Sequence, residues 1–332
     1  MSTFADLSFL FPISDSAGSW ANYLYLLLGL GVLLLSGESL VRGGVSLGRK
    51  TGVSELVIGV TVVSLGTSAP ELVVSLQAAL SGHPDIAIGN VVGSNISNIG
   101  LVLALTVLIF PFAVNRMSLT KDGPFMLVIS VMVIIFSVDG RLNRIEGLIL
   151  LLLVTIYTFL IIRNSRLNSR LSLQKIPAPA FPVPLAILIV LLSGVGLIIG
   201  ASWLVHGASG AARSFGVSER VISLSIVALG TSLPEMSASL MAALRKHPDV
   251  SVGNIIGSNI FNIGGILGTT ALFVDIDINP QIRRFDYWYM LVLSVLMLLL
   301  VGKKLKLTRW KGFVMILFYV CYIVLIYARI NG

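Results

Sequence analysis

Ten long apolar stretches separated by short polar loops set the pattern of this chain. They cover 21–47, 53–80, 86–110, 124–138, 145–162, 185–211, 217–244, 250–274, 287–301 and 313–327. A membrane-spanning helix needs about 20 mostly apolar residues. The pattern therefore predicts an all-α polytopic membrane protein with ten transmembrane helices, of which 21–47 is long enough to tilt and 124–138 is short. Four runs carry breaks. Gly66 and Pro70 interrupt the second, and Gly230 and Pro234 the seventh, since glycine and proline are the poorest helix formers. Gly89-Asn90 and Gly93-Ser94-Asn95 are expected to break the third, and Gly253-Asn254 and Gly257-Ser258-Asn259 the eighth.

Composition agrees. Of 332 residues 56% are hydrophobic and 11% charged, against about 25% charged in a soluble domain. The net charge of +8 does not indicate a nucleic-acid partner, because the basic residues lie in loops and no stacking platform or recognition element accompanies them. With the N-terminus outside, the inner loops hold 16 of the 23 basic residues and the outer loops 7. The positive-inside rule then places both termini outside. Cys321, the sole cysteine, excludes an internal disulfide. Residues 1–20, an outer segment, contain Asp6 and Asp15 but no Lys or Arg. That is not how a secretory signal begins, so the first apolar run is expected to be retained.

The two halves are copies. Residues 66–100 match 230–264 without gaps, with 22 of 35 positions identical. Upstream, Gly52-Val53-Ser54-Glu55 answers Gly216-Val217-Ser218-Glu219. The expected units are a first five-helix repeat at 21–162, a cytoplasmic linker at 163–184 with four prolines (Pro177, Pro179, Pro182, Pro184), and a second repeat at 185–332. Five is odd, so the second copy enters from the opposite side. Inverted repeats are characteristic of secondary transporters, whose sites lie at the midplane between them.

Glu71 and Glu235 are the acids expected mid-span. No basic residue sits nearby in sequence, and a buried unpaired carboxylate costs several kcal/mol. A proton or a bound cation must neutralise each. Two permanently protonated, purely structural glutamic acids are the plain alternative, but the surroundings hold more oxygen than packing requires. The breaks are expected to free carbonyls around 64–67 and 228–231. Thr67, Ser68, Thr231 and Ser232 add hydroxyls, and Ser75 and Ser239 lie four residues beyond the glutamates on the same helical face. Ser94 and Asn98 share a face, as do Ser258 and Asn262. No His, Cys or Lys joins the set, and all-oxygen ligation suits hard cations such as Ca2+. The two carboxylates balance one divalent ion, two Na+ or two protons. Three other features read as structural. The glycines 89, 93, 253 and 257 permit close helix packing. The repeated His-Pro-Asp at 83–85 and 247–249 starts a helix. Glu38, beside Arg42, is an interfacial residue.

At Gly-Thr-Ser-x-Pro-Glu followed by Gly-Asn-x-x-Gly-Ser-Asn-Ile-x-Asn-Ile-Gly, twice, the chain resembles the sodium/calcium exchanger family, most of all its short prokaryotic members. The resemblance covers the whole chain and implies a site built by the second, third, seventh and eighth spans. Glu71 and Glu235 would be the central Ca2+ carboxylates, shared with Na+. The carbonyls of Thr67 and Thr231 would join the Ca2+ site. The carbonyls of Ser64 and Ala228, with Ser68, Ser94, Ser232 and Ser258, would line flanking Na+ sites. Asn98 and Asn262 would sit at the middle. Some relatives, including potassium-dependent ones, carry Asp at the position of Asn262. Asn argues against potassium co-transport there and removes a third titratable group. The stretch 163–184 is too short for the calcium-sensing loop of animal relatives.

The expected function is Ca2+/Na+ antiport by alternating access in a bacterial inner membrane. Ca2+ and Na+ act as substrates and the lipid bilayer as surroundings; no resident cofactor and no obligate protein partner are expected. Ca2+/H+ exchange could use the same glutamates. A channel would need a continuous pore. An intramembrane enzyme would need a general-base His beside the glutamates or an HExxH motif; the one His inside an apolar run, His206, lies outside the two repeated glutamate segments, and no HExxH motif is present.

Overall fold

The computed structural model describes residues 20–171, 180–217, 222, 228–302 and 304–331. Helices dominate: α1 (Trp20–Thr51), α2 (Glu55–Thr67), α3 (Ala69–Leu80), α4 (Pro84–Ile109), α5 (Ser118–Phe136) and α6 (Arg144–Leu171). They continue with α7 (Val183–Ser214), α8 (Ala228–Gly230), α9 (Leu233–Leu244), α10 (Pro248–Phe273), α11 (Ile282–Val301) and α12 (Arg309–Asn331). Among the described residues eight helices are long and apolar enough to cross a membrane, and α2 with α3, bent by 46°, forms a ninth candidate. The remaining expected span, 217–244, includes 218–221 and 223–227, which lie outside the described residues; its second part is α9. Large side chains such as Leu35, Ile145, Leu191 and Phe313 point outward uncovered, as lipid-facing positions can.

One expectation needs correction. The third and eighth spans are not broken at their glycines: α4 and α10 run through 89–95 and 253–259 as single helices. A glycine costs a helix only about 1 kcal/mol, and hydrocarbon offers the backbone no competing hydrogen bonds. The glycines of α10 serve approach instead. A Cβ on Gly253 would lie 2.6 Å from the Leu56 carbonyl oxygen, and one on Gly257 2.5 Å from that of Val60. The irregularity comes later, as π-helical turns at Asn98–Leu103 and Asn262–Leu267, with another at Gly59–Val63 in α2. Among the described residues the all-helical reading holds, with short strands only in the loops. Four two-residue strands are present: β1 (Phe112–Ala113), β2 (Arg141–Leu142), β3 (Ile276–Asp277) and β4 (Lys306–Leu307). In addition, α6 stays helical through Leu171, past the apolar run and into the expected linker.

The strands tie loops together at two ends. β1 pairs antiparallel with β4, and β2 with β3. The β1 end also holds contacts from Ser54 to Ser165 (2.8 Å), His247 to Glu55 (2.8 Å) and Asn115 to Asp249 (3.2 Å). Glu38 meets Arg42 and Arg245 there, as an interfacial acid would. Arg283 donates to the Val138 carbonyl (2.8 Å) at the β3 end. Inside, one large apolar cluster joins α4, α5, α6, α10, α11 and α12. A smaller one joins α1 and α7 to parts of α2 and α9. α1 and α7 touch backbone to backbone, since a Cβ on Gly29 would lie 2.4 Å from the Leu204 nitrogen.

The duplication persists in the turns. α4 and α10 both start on proline with an aspartate in the first turn, the arrangement read from His-Pro-Asp. Before each, the chain leaves the preceding helix through a left-handed residue. In the first copy that residue is Gly82 (φ +83°); in the second it is Lys246 (φ +63°). The same bonds close both turns: His83 N–H to the Ala78 carbonyl (2.9 Å) and His247 N–H to that of Ala242 (2.8 Å). A left-handed non-glycine residue costs about 1–2 kcal/mol, and glycine returns part of that through a more flexible unfolded chain. Lys246→Gly should therefore stabilise the purified protein by about 0.5–1 kcal/mol in thermal unfolding. A lower midpoint would show that the lysine side chain, not the turn, governs this position.

Candidate functional site

The bend between α2 and α3 builds half of the site. Ser68 sits between the two helices at φ −85°, ψ 4°. Pro70 follows at the start of α3 and has no N–H to offer the Gly66 carbonyl. Glu71 thereby falls in the first turn of α3, where the helix dipole favours a negative charge. Ser232, Pro234 and Glu235 repeat the arrangement at the start of α9. Both carboxylates are fully buried. Among the described residues neither pairs with Lys, Arg or His.

Contacts cross between the copies. Ser68 Oγ donates to Glu235 Oε1 at 3.0 Å, and Ser258 Oγ reaches the same oxygen at 3.4 Å. Thr67 Oγ1 lies 3.2 Å from Asn254 Oδ1 and 3.4 Å from Ser258 Oγ. Ser232 Oγ lies 2.6 Å from Ser97 Oγ. Asn98 Nδ2 donates to Asn259 Oδ1 at 3.1 Å, and Asn262 Nδ2 to Asn95 Oδ1 at 2.9 Å. The structure thus buries three hydrogen-bonded groups: Thr67, Ser68, Glu235 and Ser258 in one, Ser232 with Ser97 in another, and Asn98 and Asn262 with Asn95 and Asn259 in the third. Ser94 and Thr231 are buried beside them.

The carbonyls differ from the expectation. The Ser64 carbonyl is not freed by the bend: it accepts the Ser68 N–H at 2.9 Å and the Thr67 hydroxyl at 3.2 Å. The released acceptor is that of Gly66, because Pro70 supplies no donor. In the second copy the Ser232 N–H turns to the Leu229 carbonyl (3.1 Å) rather than to that of Ala228 at the head of α8.

At the site, five buried oxygens find no hydrogen-bond donor: both of Glu71, Oε2 of Glu235, and the amide oxygens of Asn98 and Asn262. Buried acceptors without donors are rare and each requires an explanation. All five are hard oxygens, two carboxylates supply the charge, and no nitrogen or sulfur ligand intrudes. Such a donor set fits Na+ or Ca2+ and does not fit zinc or copper. Among the described residues no group of three or more His, Cys, Asp or Glu offers a competing metal centre.

Several contributors escaped the sequence reading. Asn90 Nδ2 donates to Ser75 Oγ at 3.0 Å and Asn254 Nδ2 to Ser239 Oγ at 2.9 Å, binding each bent span to the next. Both serines therefore brace helices. Asn95 and Asn259 hold the site asparagines. All four asparagines recur in both copies, which was a usable signal. Ser97 had none, since its counterpart is Phe261.

The family model described as "Sodium/calcium exchanger protein" matches residues 21–163 and 185–328. The chain is 36% identical over 286 residues to inner membrane protein YrbG of Escherichia coli, covering 84% of this chain and 88% of that protein. It is 31% identical over 349 residues to sodium/calcium exchanger MaX1 of Methanosarcina acetivorans, covering 92% and 98%. A solved structure of the sodium-calcium exchanger NCX_Mj superposes with TM-score 0.78 at 34% identity, covering 91% of this chain and 97% of that one.

A ligand that binds only the folded state stabilises by mass action, about 2.7 kcal/mol at 100 times its dissociation constant. Ca2+ added in that excess should raise the unfolding midpoint of the detergent-purified protein. The rise should vanish in Glu71→Gln, and Zn2+ should not reproduce it. Equal shifts in wild type and Glu71→Gln would place the Ca2+ elsewhere.

Proposed function

The chain belongs to the sodium/calcium exchanger protein family, and we propose that it exchanges Ca2+ for Na+ across a membrane by alternating access. The observation that carries this reading is the set of five donorless buried oxygens at the site, three on the two carboxylates and two on the amides of Asn98 and Asn262. Ca2+ takes six to eight oxygen ligands. Glu71, Glu235, Asn98 and Asn262 supply the core, and the carbonyls of Thr67 and Thr231 complete it. The hydroxyls of Ser68, Ser94, Ser232 and Ser258 line flanking Na+ positions together with the carbonyl of Ala228, from which the Ser232 N–H turns away.

Exchange follows from charge. Two carboxylates facing each other in a low-dielectric site repel unless neutralised. One Ca2+ or two Na+ each restore neutrality, so the ions replace one another. An ion-free site is the costly state, which discourages reorientation without cargo. Ser68 and Ser258 steady Glu235 through hydroxyls alone, so its charge remains available to a cation.

Alternation follows from an inverted duplication. Two antiparallel five-helix halves, 21–162 and 185–332 about a cytoplasmic linker at 163–184, give ten spans. In support, Asp249 at the start of α10 meets Asn115 at the β1 end, whereas α4 starts near β3 at the other. Each bent span then serves as the gate for one face. The charge bias of the loops supports both termini lying outside, and the membrane we propose is the inner membrane of a prokaryote.

The test is uptake of radiolabelled Ca2+ into reconstituted vesicles under separately imposed Na+ and pH gradients. Accumulation should follow the Na+ gradient and collapse when it is dissipated. Glu71→Gln and Glu235→Gln should each lose transport almost completely while remaining folded. Uptake driven by the pH gradient alone would make the protein a Ca2+/H+ exchanger, and uptake without any counter-ion gradient would make it a channel.

A further inference from the structure

We propose that Asn95 and Asn259 are positioning residues that set the direction of the two amides at the centre of the ion site. The argument turns on which end of each amide is nitrogen. The Asn259 backbone carbonyl can only accept, and Asn95 lies 3.1 Å from it, so Asn95 presents its NH2 there. The other end of Asn95 is therefore its oxygen. Asn262 meets that oxygen at 2.9 Å and must present NH2 in turn. This leaves Asn262 Oδ1 pointing away, buried and without a donor.

The second copy reaches the same result. Asn259 turns its NH2 toward the Met126 sulfur at 3.6 Å, a weak acceptor, and Asn95 makes the matching contact with the Met290 sulfur at 3.7 Å. Asn259 Oδ1 then accepts from Asn98 Nδ2 at 3.1 Å, and Asn98 Oδ1 is left donorless. Each bond joins one copy to the other, and the two are images under the same sequence offset. All four asparagines are buried.

The chemical consequence is specific to asparagine. An amide has an attractive end and a repulsive end for a cation, and a rotation of 180° about its last bond exchanges them. With Asn95 and Asn259 in place, oxygen faces the ion. Without them, either amide can turn a hydrogen-bond donor toward the cation. A carboxylate at the same position has two oxygens and no wrong end. Relatives with Asp at position 262 would thus lack the need for this brace on that side.

This assignment rests on the cation-exchange reading, and a double-mutant cycle tests it. Ca2+ affinity is measured by calorimetry on the detergent-purified full chain for wild type, Asn95→Leu, Asn262→Asp and the double variant. In the Asn262 background, Asn95→Leu should weaken Ca2+ binding by about tenfold or more, the usual loss on removing a group that orients a metal ligand. In the Asn262→Asp background the same change should cost little or improve binding, because the packing loss is common to both arms and cancels. The mirror cycle uses Asn259→Leu with Asn98→Asp. Equal losses in both backgrounds, or loss of all Ca2+ binding in Asn262→Asp, would overturn the positioning role. If neither leucine variant folds, the pair is a structural brace and the proposal falls. Wild type that binds no Ca2+ would instead refute the exchange reading itself.

Discussion

Two carboxylates lie fully buried, and among the described residues no cationic side chain pairs with either. The rest of the structure depends on how that charge is managed. A buried charge left alone costs several kcal/mol, and the protein could have removed the cost with one lysine. Among the described residues it supplies hydroxyls to one carboxylate and no side-chain donor to the other. Such a site is incomplete without something positive from solution, and that incompleteness makes it useful for carrying ions.

The duplication turns the constraint into a machine. One copy contributes Glu71 at the head of a bent helix and the other contributes Glu235. The hydrogen bonds around them run from copy to copy: Ser68 to Glu235, Thr67 to Asn254, Asn98 to Asn259, Asn262 to Asn95. The copies are not equivalent in detail. Glu235 has two hydroxyl partners and Glu71 has none, and Ser97 meets Ser232 where the other copy has a phenylalanine. Packing shows a similar division. α1 and α7 share a small apolar cluster with parts of α2 and α9, apart from the large one that holds α4, α5, α6 and α10 to α12.

Much of this was legible in the residues. The apolar runs located the helices, and Gly66 with Pro70 located the bend. The matching letters at 230–264 identified the second half of the site, and the lack of Lys or Arg deep in the spans exposed the charge problem. Local rules failed at the glycines of the third and eighth spans. There glycine reads as a breaker, whereas Gly253 and Gly257 let α10 lie directly on the backbone of α2. The π-helical turns that begin at Asn98 and Asn262 have no letter of their own. The bracing role of Asn95 and Asn259 depends on which amide end meets which carbonyl, and only three-dimensional contact decides that. Lys246 illustrates the converse: the second turn has the left-handed geometry of the first without its glycine.

The most direct test of the central claim is competition for the shared carboxylates. Ca2+ affinity of the purified protein should be titrated against Na+ at constant pH and ionic strength. If two Na+ replace one Ca2+ at Glu71 and Glu235, the apparent dissociation constant for Ca2+ should rise at least as the square of the Na+ concentration once Na+ saturates. An affinity for Ca2+ that ignores Na+ would contradict a common site.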